Sequence, residues 1–462
     1  MKIRVVIIGA GISGLTAAFW LRKAGAEVTV LEASHAVGGT MKTLREDGWL
    51  VETGPNSALE TTPLFNEMFE ALGILDERVY ADERSNRRYL VRNGALHPLP
   101  MSPLAFVGSS LWSLKGKLRL LKEPFVGKAR QEESVAQFVE RRLGKEFLDY
   151  AINPFVAGVY AGNPEQLSVR AAFPKLYALE ERYGGLIKGM IKGAKERRRR
   201  AEKAKDRAKM FSFVNGMQSL PDAIARMLGD AVVCNVRVAA IERMQDSSFS
   251  IVCDRNSVAA TFDAEHVVLA VPAYAARHLI ARLSPSAASA LDSIAYPPVA
   301  EVFLGFRSDQ MRRPLDGFGF LVPAKERRKI LGTIWSSALF ANRAPAGHVA
   351  LTTFVGGSRQ PEMCARDDAD LVHAVTEELH SLMDVHGAPM FARVIRWERA
   401  IPQYNMGYGR IMEELETCEA QNPGLYFCSN FKGGIAVGDC VMNGKKVAER
   451  VLQTVPRELM HV

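Results

Sequence analysis

Cysteine is sparse and scattered. The 462 residues hold six: Cys234, Cys253, Cys364, Cys418, Cys428 and Cys440. None forms a C-x-x-C pair or any other metal-ligand spacing, so no structural zinc, no other metal site and no disulfide frame is expected. The nine histidines show no constellation with a carboxylate. Neither G-x-S-x-G nor H-E-x-x-H occurs, which excludes the common serine-hydrolase and zinc-protease devices. No run of about 18 uncharged apolar residues appears, so a spanning helix is not expected. Internal repeats are absent, and low complexity is confined to the arginine run at 197–200. Few aromatics interleave with the basic stretches, which argues against nucleic-acid binding. The first motif begins almost at Met1, so no signal or transit peptide is expected ahead of it. The cysteines are therefore read as reduced thiols.

What is present is ordinary for a globular chain: 48% hydrophobic and 24% charged residues, with a net charge of +8. The length suits two or three domains. The basic balance permits acidic ligands or an anionic membrane surface.

The opening stretch "IRVVIIGAGISGLTAAFWLRKAGAEVTVLEAS" carries the clearest local signal. Ile3 to Ile8 reads as a strand buried on both faces. Gly9, Gly11 and Gly14 form G-x-G-x-x-G, with Ile12 and Ser13 between the last two. A helix follows from Leu15 to Ala24, and a second strand from Glu27 to Leu31 ends at Glu32. Gly9 allows a tight turn, Gly11 lets the backbone approach a pyrophosphate, and Gly14 lets helix and strand pack closely. The helix N-terminus offers free N–H donors and the positive end of its dipole. Glu32 stands where an acid would accept from an adenosine ribose. A Gly-Gly turn follows at Gly38-Gly39, then short strands and Gly54-Pro55-Asn56.

From Pro103 to Lys209 the chain reads as helical. "GGLIKGMIKGAKERRRRAEKAKDRAKM" is apolar at one end and cationic at the other, as a solvated charged helix is. "AVVCNVRVAAIE", "FSIVCD" and "HVVLAVP" read as strands, the last returning to the first sheet. Residues from Ala273 to Ile395 alternate strands and helices. The final segment, "NPGLYFCSNFKGGIAVGDCVMNGKKVAERVLQTV", is strand, glycine turn and amphipathic helix. Gly433 and Gly434 there offer a second close backbone approach. The nucleotide domain is thus discontinuous.

Several stretches together resemble the porphyrinogen oxidases, FAD-dependent flavoproteins of the amine oxidase superfamily. They are "GPNS", "KEFLDYAINPFVAGVYAGNPEQLSVRAAFP", "RRPLDGFGFLVPAKE", "LGTIWSSALFANRAP", "TTFVGGSR", "WERAIPQYNMGY" and "KGGIAVGDC". They span nearly the whole chain in the family's order, and the middle ones look most like plant members. The resemblance implies an α/β fold in three parts. A discontinuous Rossmann-like FAD-binding domain would comprise residues 1–85, 210–272 and 396–462. A mixed-sheet substrate domain would comprise 86–102 and 273–395. An all-helical, membrane-binding domain would span 103–209.

It further implies non-covalent FAD and oxidation of protoporphyrinogen IX to protoporphyrin IX, with O2 as acceptor giving H2O2, in haem biosynthesis. Coproporphyrinogen III, with four propionates in place of two, is the alternative substrate. A flavin amine oxidase, a carotenoid desaturase and a non-catalytic flavin or porphyrin carrier are the competing readings. The implied location is cytoplasmic, peripheral on the inner face of the cell membrane. A contact with the next haem-pathway enzyme and a homodimer are further partners it leaves open.

By resemblance, Gly9, Gly11, Ile12, Ser13, Gly14, Glu32, Gly38 and Gly39 would hold the adenosine and phosphates. Gly54, Pro55, Asn56 and Ser57 would lie near the isoalloxazine. The Val238 backbone would contact adenine, Ile435, Ala436 and Val437 the ribityl chain and flavin, and Trp397 would stand nearby or fill core. For substrate, Leu321, Ile334, Phe354 and Phe318 would wall a pyrrole ring, Gly158 would admit backbone close to the macrocycle, with Gly162 its neighbour, and Arg88 would pair with a carboxylate. Arg87 competes with Arg88 for that role. One departure stands out. The superfamily's E-x-x-x-R-x-G-G-R is here "EASHAVGGT", so Ala36 and Thr40 replace both arginines, with Lys42 or His35 as substitutes. No acid or base for the chemistry is evident.

Overall fold

The computed structural model describes residues 3–200, 208–255 and 258–454. A five-stranded parallel sheet forms from distant parts of the chain. Its strands run Val232–Val233, Glu27–Leu31, Arg4–Ile8, His266–Leu269 and Leu425–Phe427 in spatial order. Period-two alternation explains the unbroken apolar run at its start. Val5 and Ile7 enter one core with Leu15, Phe19 and Leu21 of the Ile12–Lys23 helix. Val6 and Ile8 enter another with Phe249, Ile251 and Phe138. Both faces are covered, as a parallel sheet requires.

The helix begins at Ile12, three residues earlier than the apolar pattern suggests, because Gly11 takes an extended N-cap conformation (φ −71°, ψ 171°). Gly14 faces the sheet. A Cβ there would stand 2.1 Å from Gly9 O and 2.8 Å from Ala270 Cβ. The final helix, Val437–Gln453, crosses the first just as closely, since a Cβ on Gly444 would lie 2.8 Å from Thr16 Cβ.

The second large sheet has seven strands, ordered Phe391–Trp397, Val299–Arg307, His348–Gly356, Gly332–Ile334, Gly317–Leu321, Arg87–Arg92 and Ala95–Pro98. One face is closed. Tyr89, Val302, Leu304, Phe320, Leu351 and Val355 pack under the Asp368–Met383 helix. The opposite face carries Arg88, Leu321, Ile334 and Phe354.

Strands Val236–Arg243, Phe249–Arg255 and Val258–Ala264 form a separate antiparallel sheet. The third of these escapes a reading by apolar runs, because Val258–Ala264 keeps only one residue fully buried. Residues 103–200 are helical segments around a buried ionic cluster. Arg142, fully buried, pairs with Glu123 at 3.2 Å and with Glu180. Glu123 also accepts from the backbone N–H groups of Leu186 and Ile187 at 2.7 and 3.1 Å. The side chains of 194–200, including the arginine run, and residues 201–207 lie outside the described residues.

Candidate active site

Three loops converge at the carboxyl end of the Arg4–Ile8 strand. Gly9 has φ +104°, and its N–H donates to Leu31 O at 2.8 Å. Gly38 donates to Ala10 O at 2.8 Å and pairs in parallel with Gly11. A Cβ on Gly39 would sit 3.4 Å from Gly11 Cα, and one on Gly54 only 2.2 Å from Thr40 O. Glycines far apart in sequence are thus pressed together, and larger residues would hold these turns apart.

Gly11 is the exception. A Cβ there would meet nothing within 4 Å. Its missing side chain keeps open the space in front of the helix N-terminus. That helix carries no side-chain cap and no acid in its first turn, while Arg22 and Lys23 occupy its last. An uncapped N-terminus with open space before it is fitted to a phosphate. Ile12 and Ser13 supply the first N–H groups of that turn.

Glu32 Oε2 accepts from Ala10 N and Oε1 from Ser34 N, both at 2.8 Å. Each oxygen keeps a lone pair for a hydroxyl donor. The Glu32 backbone bonds to Val233 O and to Val236 N at 3.0 and 2.9 Å, so Val238 rises two residues from the acid. At the other end, Ala436 is the uncapped N-cap of the last helix, between half-buried Ile435 and Val437. Tyr404 Oη accepts from Gly434 N at 3.1 Å and donates to Asn430 O at 2.6 Å. Tyr408, stacked on Tyr404 at 4.4 Å, donates to Phe431 O. This tyrosine pair braces the glycine turn. The segment "WERAIPQYNMGY" contains both, and its aromatic spacing alone points only to Trp397.

Trp397, at the edge of the seven-stranded sheet, ties it to the chain just after the Trp49–Glu52 strand: its Nε1 donates to Thr53 O at 2.6 Å. That bond holds the start of the loop Gly54, Pro55, Asn56 and Ser57 against the seven-stranded sheet.

Register places several candidates on this face. Leu90, Leu321, Gly332, Phe354, Glu301 and Ile395 follow one another across six strands. Arg88, Gly319, Ile334 and Thr352 form the adjacent row. Cross-strand partners share a face, so Arg88, Leu321, Ile334 and Phe354 lie together. Phe318 joins them through the irregularity between Gly317 and Gly319, and the Arg88 guanidinium stands 5.7 Å from its ring centroid. Gly158, in the Asn153–Tyr160 helix, closes the row: a Cβ there would fall 2.6 Å from Leu321 Cδ2. Gly162 instead packs on Gln403, with a Cβ at 2.4 Å from Oε1.

The two arginines differ sharply. Arg87 is committed to Asp316 at 2.6 Å, and Tyr89 binds the other oxygen of the same carboxylate at 2.7 Å. Arg88 has no carboxylate within 4.0 Å among the described residues.

Two buried acids escape a motif reading. Glu52, paired with Arg343 at 3.3 Å, is pushed up to about 7 by burial, against the lowering effect of Arg343, Thr43 and the Met217 N–H. Glu301, 2% exposed, is raised well above the carboxylate range by burial, with Glu52 adding to it. The signal for Glu301 was a lone acid inside the apolar strand "VAEVFLGF".

The flavin containing amine oxidoreductase family matches residues 12–452. Protoporphyrinogen oxidase 2 (chloroplastic/mitochondrial) of Arabidopsis thaliana is 33% identical over 97% of this chain and 94% of its own. Coproporphyrinogen III oxidase of Bacillus subtilis (strain 168) is 30% identical over 98% of each. The crystal structure of a candidate protoporphyrinogen oxidase from Exiguobacterium sp. 255-15 superposes with a TM-score of 0.81 at 25% identity, covering 98% of this chain and 100% of that one.

The chain belongs to the flavin containing amine oxidoreductase family, and within it to the porphyrinogen oxidases. It is an FAD-dependent oxidoreductase, and the open space at Gly11 with the uncapped helix behind it fits that cofactor.

Proposed function

We propose that this protein oxidises protoporphyrinogen IX to protoporphyrin IX, with O2 as final acceptor and H2O2 as product. The observation that carries the reading is Arg88, a cation without an acidic partner among the described residues, on the same sheet face as Leu321, Ile334 and Phe354. A guanidinium beside an apolar wall suits a flat ligand with carboxylate arms. When bound, FAD accepts the hydrogen and electrons that leave the macrocycle in three two-electron rounds. The chain's own residues bind and orient. Arg88 pairs with a propionate, and Phe318 under it limits where that guanidinium swings. Leu321, Ile334 and Phe354 exclude water from the ring, and Gly158, without a Cβ, lets the Asn153–Tyr160 helix close on Leu321.

On the cofactor side, Gly9 to Gly14 and Gly38-Gly39 cradle the phosphates, Glu32 takes the ribose and Val238 flanks adenine. Gly54 to Ser57, Trp397 and Ile435 to Val437 frame the flavin. These parts make a Rossmann-like domain of residues 1–85, 210–272 and 396–462, with a substrate domain of 86–102 and 273–395.

We read residues 103–209 as the membrane-facing domain. Leu104, Val107, Leu114, Leu121 and Phe125 are exposed, Phe125 at 89%, beside exposed Lys115, Lys122 and Lys128. The ionic cluster under Arg142 fixes the inner side of this segment and turns these apolar residues outward. No helix among the described residues is long and apolar enough to cross a membrane. Peripheral attachment to an anionic leaflet, the inner face of the cell membrane, is the arrangement this favours.

Coproporphyrinogen III is the second reading, favoured by the likeness to the Bacillus subtilis enzyme over nearly all of both chains. The two are separated by measuring kcat/KM for each porphyrinogen from the rise of porphyrin fluorescence. The proposal expects at least a tenfold preference for protoporphyrinogen IX. A reversed ratio assigns the coproporphyrinogen activity instead.

A further inference from the structure

A second arginine stands on the far side of Leu321 from Arg88. Arg88 is in register with Gly319 of the Gly317–Leu321 strand. Val322 follows that strand, about 10 Å further along it at the usual rise per residue. The Val322 carbonyl accepts from Arg359 Nη1 at 2.7 Å. Arg359 Nη2 donates to Asn153 Oδ1 at 3.1 Å, at the start of the Asn153–Tyr160 helix. The same helix closes on Leu321 through Gly158. The turn before Arg359 is pressed against the other end of that helix. Ser358 N donates to Ala161 O at 2.7 Å, and a Cβ on Gly357 (φ +65°) would lie 2.5 Å from the same oxygen. Arg359 thus enters the seam between the helix and the sheet, just beyond the strand that carries Phe354.

Arg359 is half-buried, and both of its acceptors are neutral. No carboxylate stands within 4.0 Å of it among the described residues. Asp149, one turn before Asn153, is divided between Lys145 and Lys325 at 3.3 Å each. Burial lowers the Arg359 pKa to about 10, so the group stays charged at neutral pH. A cation drawn partly out of water without a counter-ion is costly to keep. Its Nε and its other N–H groups remain for an anion.

We propose that Arg359 is a substrate-binding residue: it takes a second carboxylate of the porphyrinogen, on the opposite side of Leu321 from Arg88. The inference rests on the porphyrinogen reading above. Two cations flanking one apolar wall fit a flat ring with two carboxylate arms. Held by Arg88 alone, the ring can pivot about one propionate. The second pair removes that freedom and fixes which bridge carbon is presented for oxidation.

The test uses the FAD-loaded protein and needs no turnover. Binding of protoporphyrin IX, a dicarboxylate, is measured by fluorescence beside binding of its dimethyl ester, which has the same ring and no charged arm. Arg359→Met keeps the length and loses the charge. It should weaken the diacid roughly 10–150-fold and leave the diester unchanged. Arg359→Lys should recover part of the loss. Arg88→Ala should also weaken the diacid alone, and the two losses should multiply in the double variant, since the arginines hold different arms. The proposal is overturned if Arg359→Met leaves diacid affinity unchanged. It is equally overturned if diacid and diester weaken alike, as they would for a strut between Val322 and Asn153, or if the double variant binds no worse than Arg88→Ala. Should Arg359→Met fail to fold, the same comparison on Arg359→Gln and Arg359→Lys decides. A wild type that binds the diacid through Arg359 yet does not oxidise protoporphyrinogen IX would refute the assigned reaction and keep this site.

Discussion

Arg88 rests against the ring of Phe318, guanidinium to centroid 5.7 Å, while its neighbour Arg87 is spent on Asp316. Strand alternation sends the two side chains to opposite faces. A hydrogen bond to a charged group is worth about 1.5–3 kcal/mol net. Arg88→Ala should therefore lower kcat/KM by roughly 10–150-fold. FAD content, read from absorbance after purification, should not change. Lysine should restore only part, since it keeps the charge and not the planar fork. Arg87→Ala is the control, expected within about threefold of wild type. If Arg87→Ala cripples turnover and Arg88→Ala does not, the carboxylate contact is misplaced by one residue.

Gly11 and Gly14 should separate cofactor binding from folding. A side chain at Gly11 enters open space, so Gly11→Val should fold normally yet purify without yellow colour. At Gly14 a Cβ collides with Gly9 O at 2.1 Å. Gly14→Ala should therefore lower stability, by about 1–3 kcal/mol for an overpacked contact, seen as a reduced Tm even in the presence of excess FAD. In the wild type, acid precipitation should release all the flavin and leave a colourless pellet. A pellet that stays yellow would indicate a covalent link.

The buried Glu52–Arg343 pair predicts a pH-dependent stability. Glu52 has a folded value near 7, above the unfolded range. Such an acid favours folding at low pH, and the benefit is lost as pH rises from about 4.3 through the folded value. Arg343→Ala removes the guanidinium that opposes this, so the folded value climbs further. Breaking a buried pair costs about 3–5 kcal/mol when the remaining charge stays. That cost should appear at pH 8.5 and shrink at pH 5.5, where Glu52 takes up a proton. Thermal melts at both values check it. An equal Tm deficit at both would mean that Glu52 is not charged at pH 8.5.

The exposed apolar ridge at 104–125 should bind anionic vesicles at low salt and less at high salt. Leu104→Glu with Phe125→Glu should reduce flotation at least tenfold, given about 1.5–3 kcal/mol for each buried side chain. Absence of wild-type flotation at low salt would leave this segment without a membrane role.

How much of this was legible in the sequence follows from the range of each interaction. The Gly9–Gly14 turn and the Glu27–Leu31 strand were readable because a local spacing specifies them. The Ile12 start was missed since an N-cap is a backbone state, not an apolar position. Arg87 and Arg88 could not be told apart from their order alone. Asp316, more than two hundred residues away, distinguishes them. Glu301 and the brace of Tyr404 on Tyr408 were overlooked for the same reason. Glu301 stands alone in an apolar strand, and the two tyrosines, though inside "WERAIPQYNMGY", act on a glycine turn 30 residues further along the chain. The strand Val258–Ala264 was missed because an edge strand with little burial lacks the apolar signature.

The central claim is tested most directly by stoichiometry. Purified protein is mixed with protoporphyrinogen IX in air-saturated buffer, and porphyrin fluorescence is recorded together with O2 consumption. The account predicts three O2 consumed and three H2O2 formed for each protoporphyrin IX, at a rate proportional to FAD-loaded protein and absent from the Gly11→Val variant. Porphyrin appearing at the same rate with the flavin-free variant, or tight porphyrin binding without O2 uptake, would contradict it.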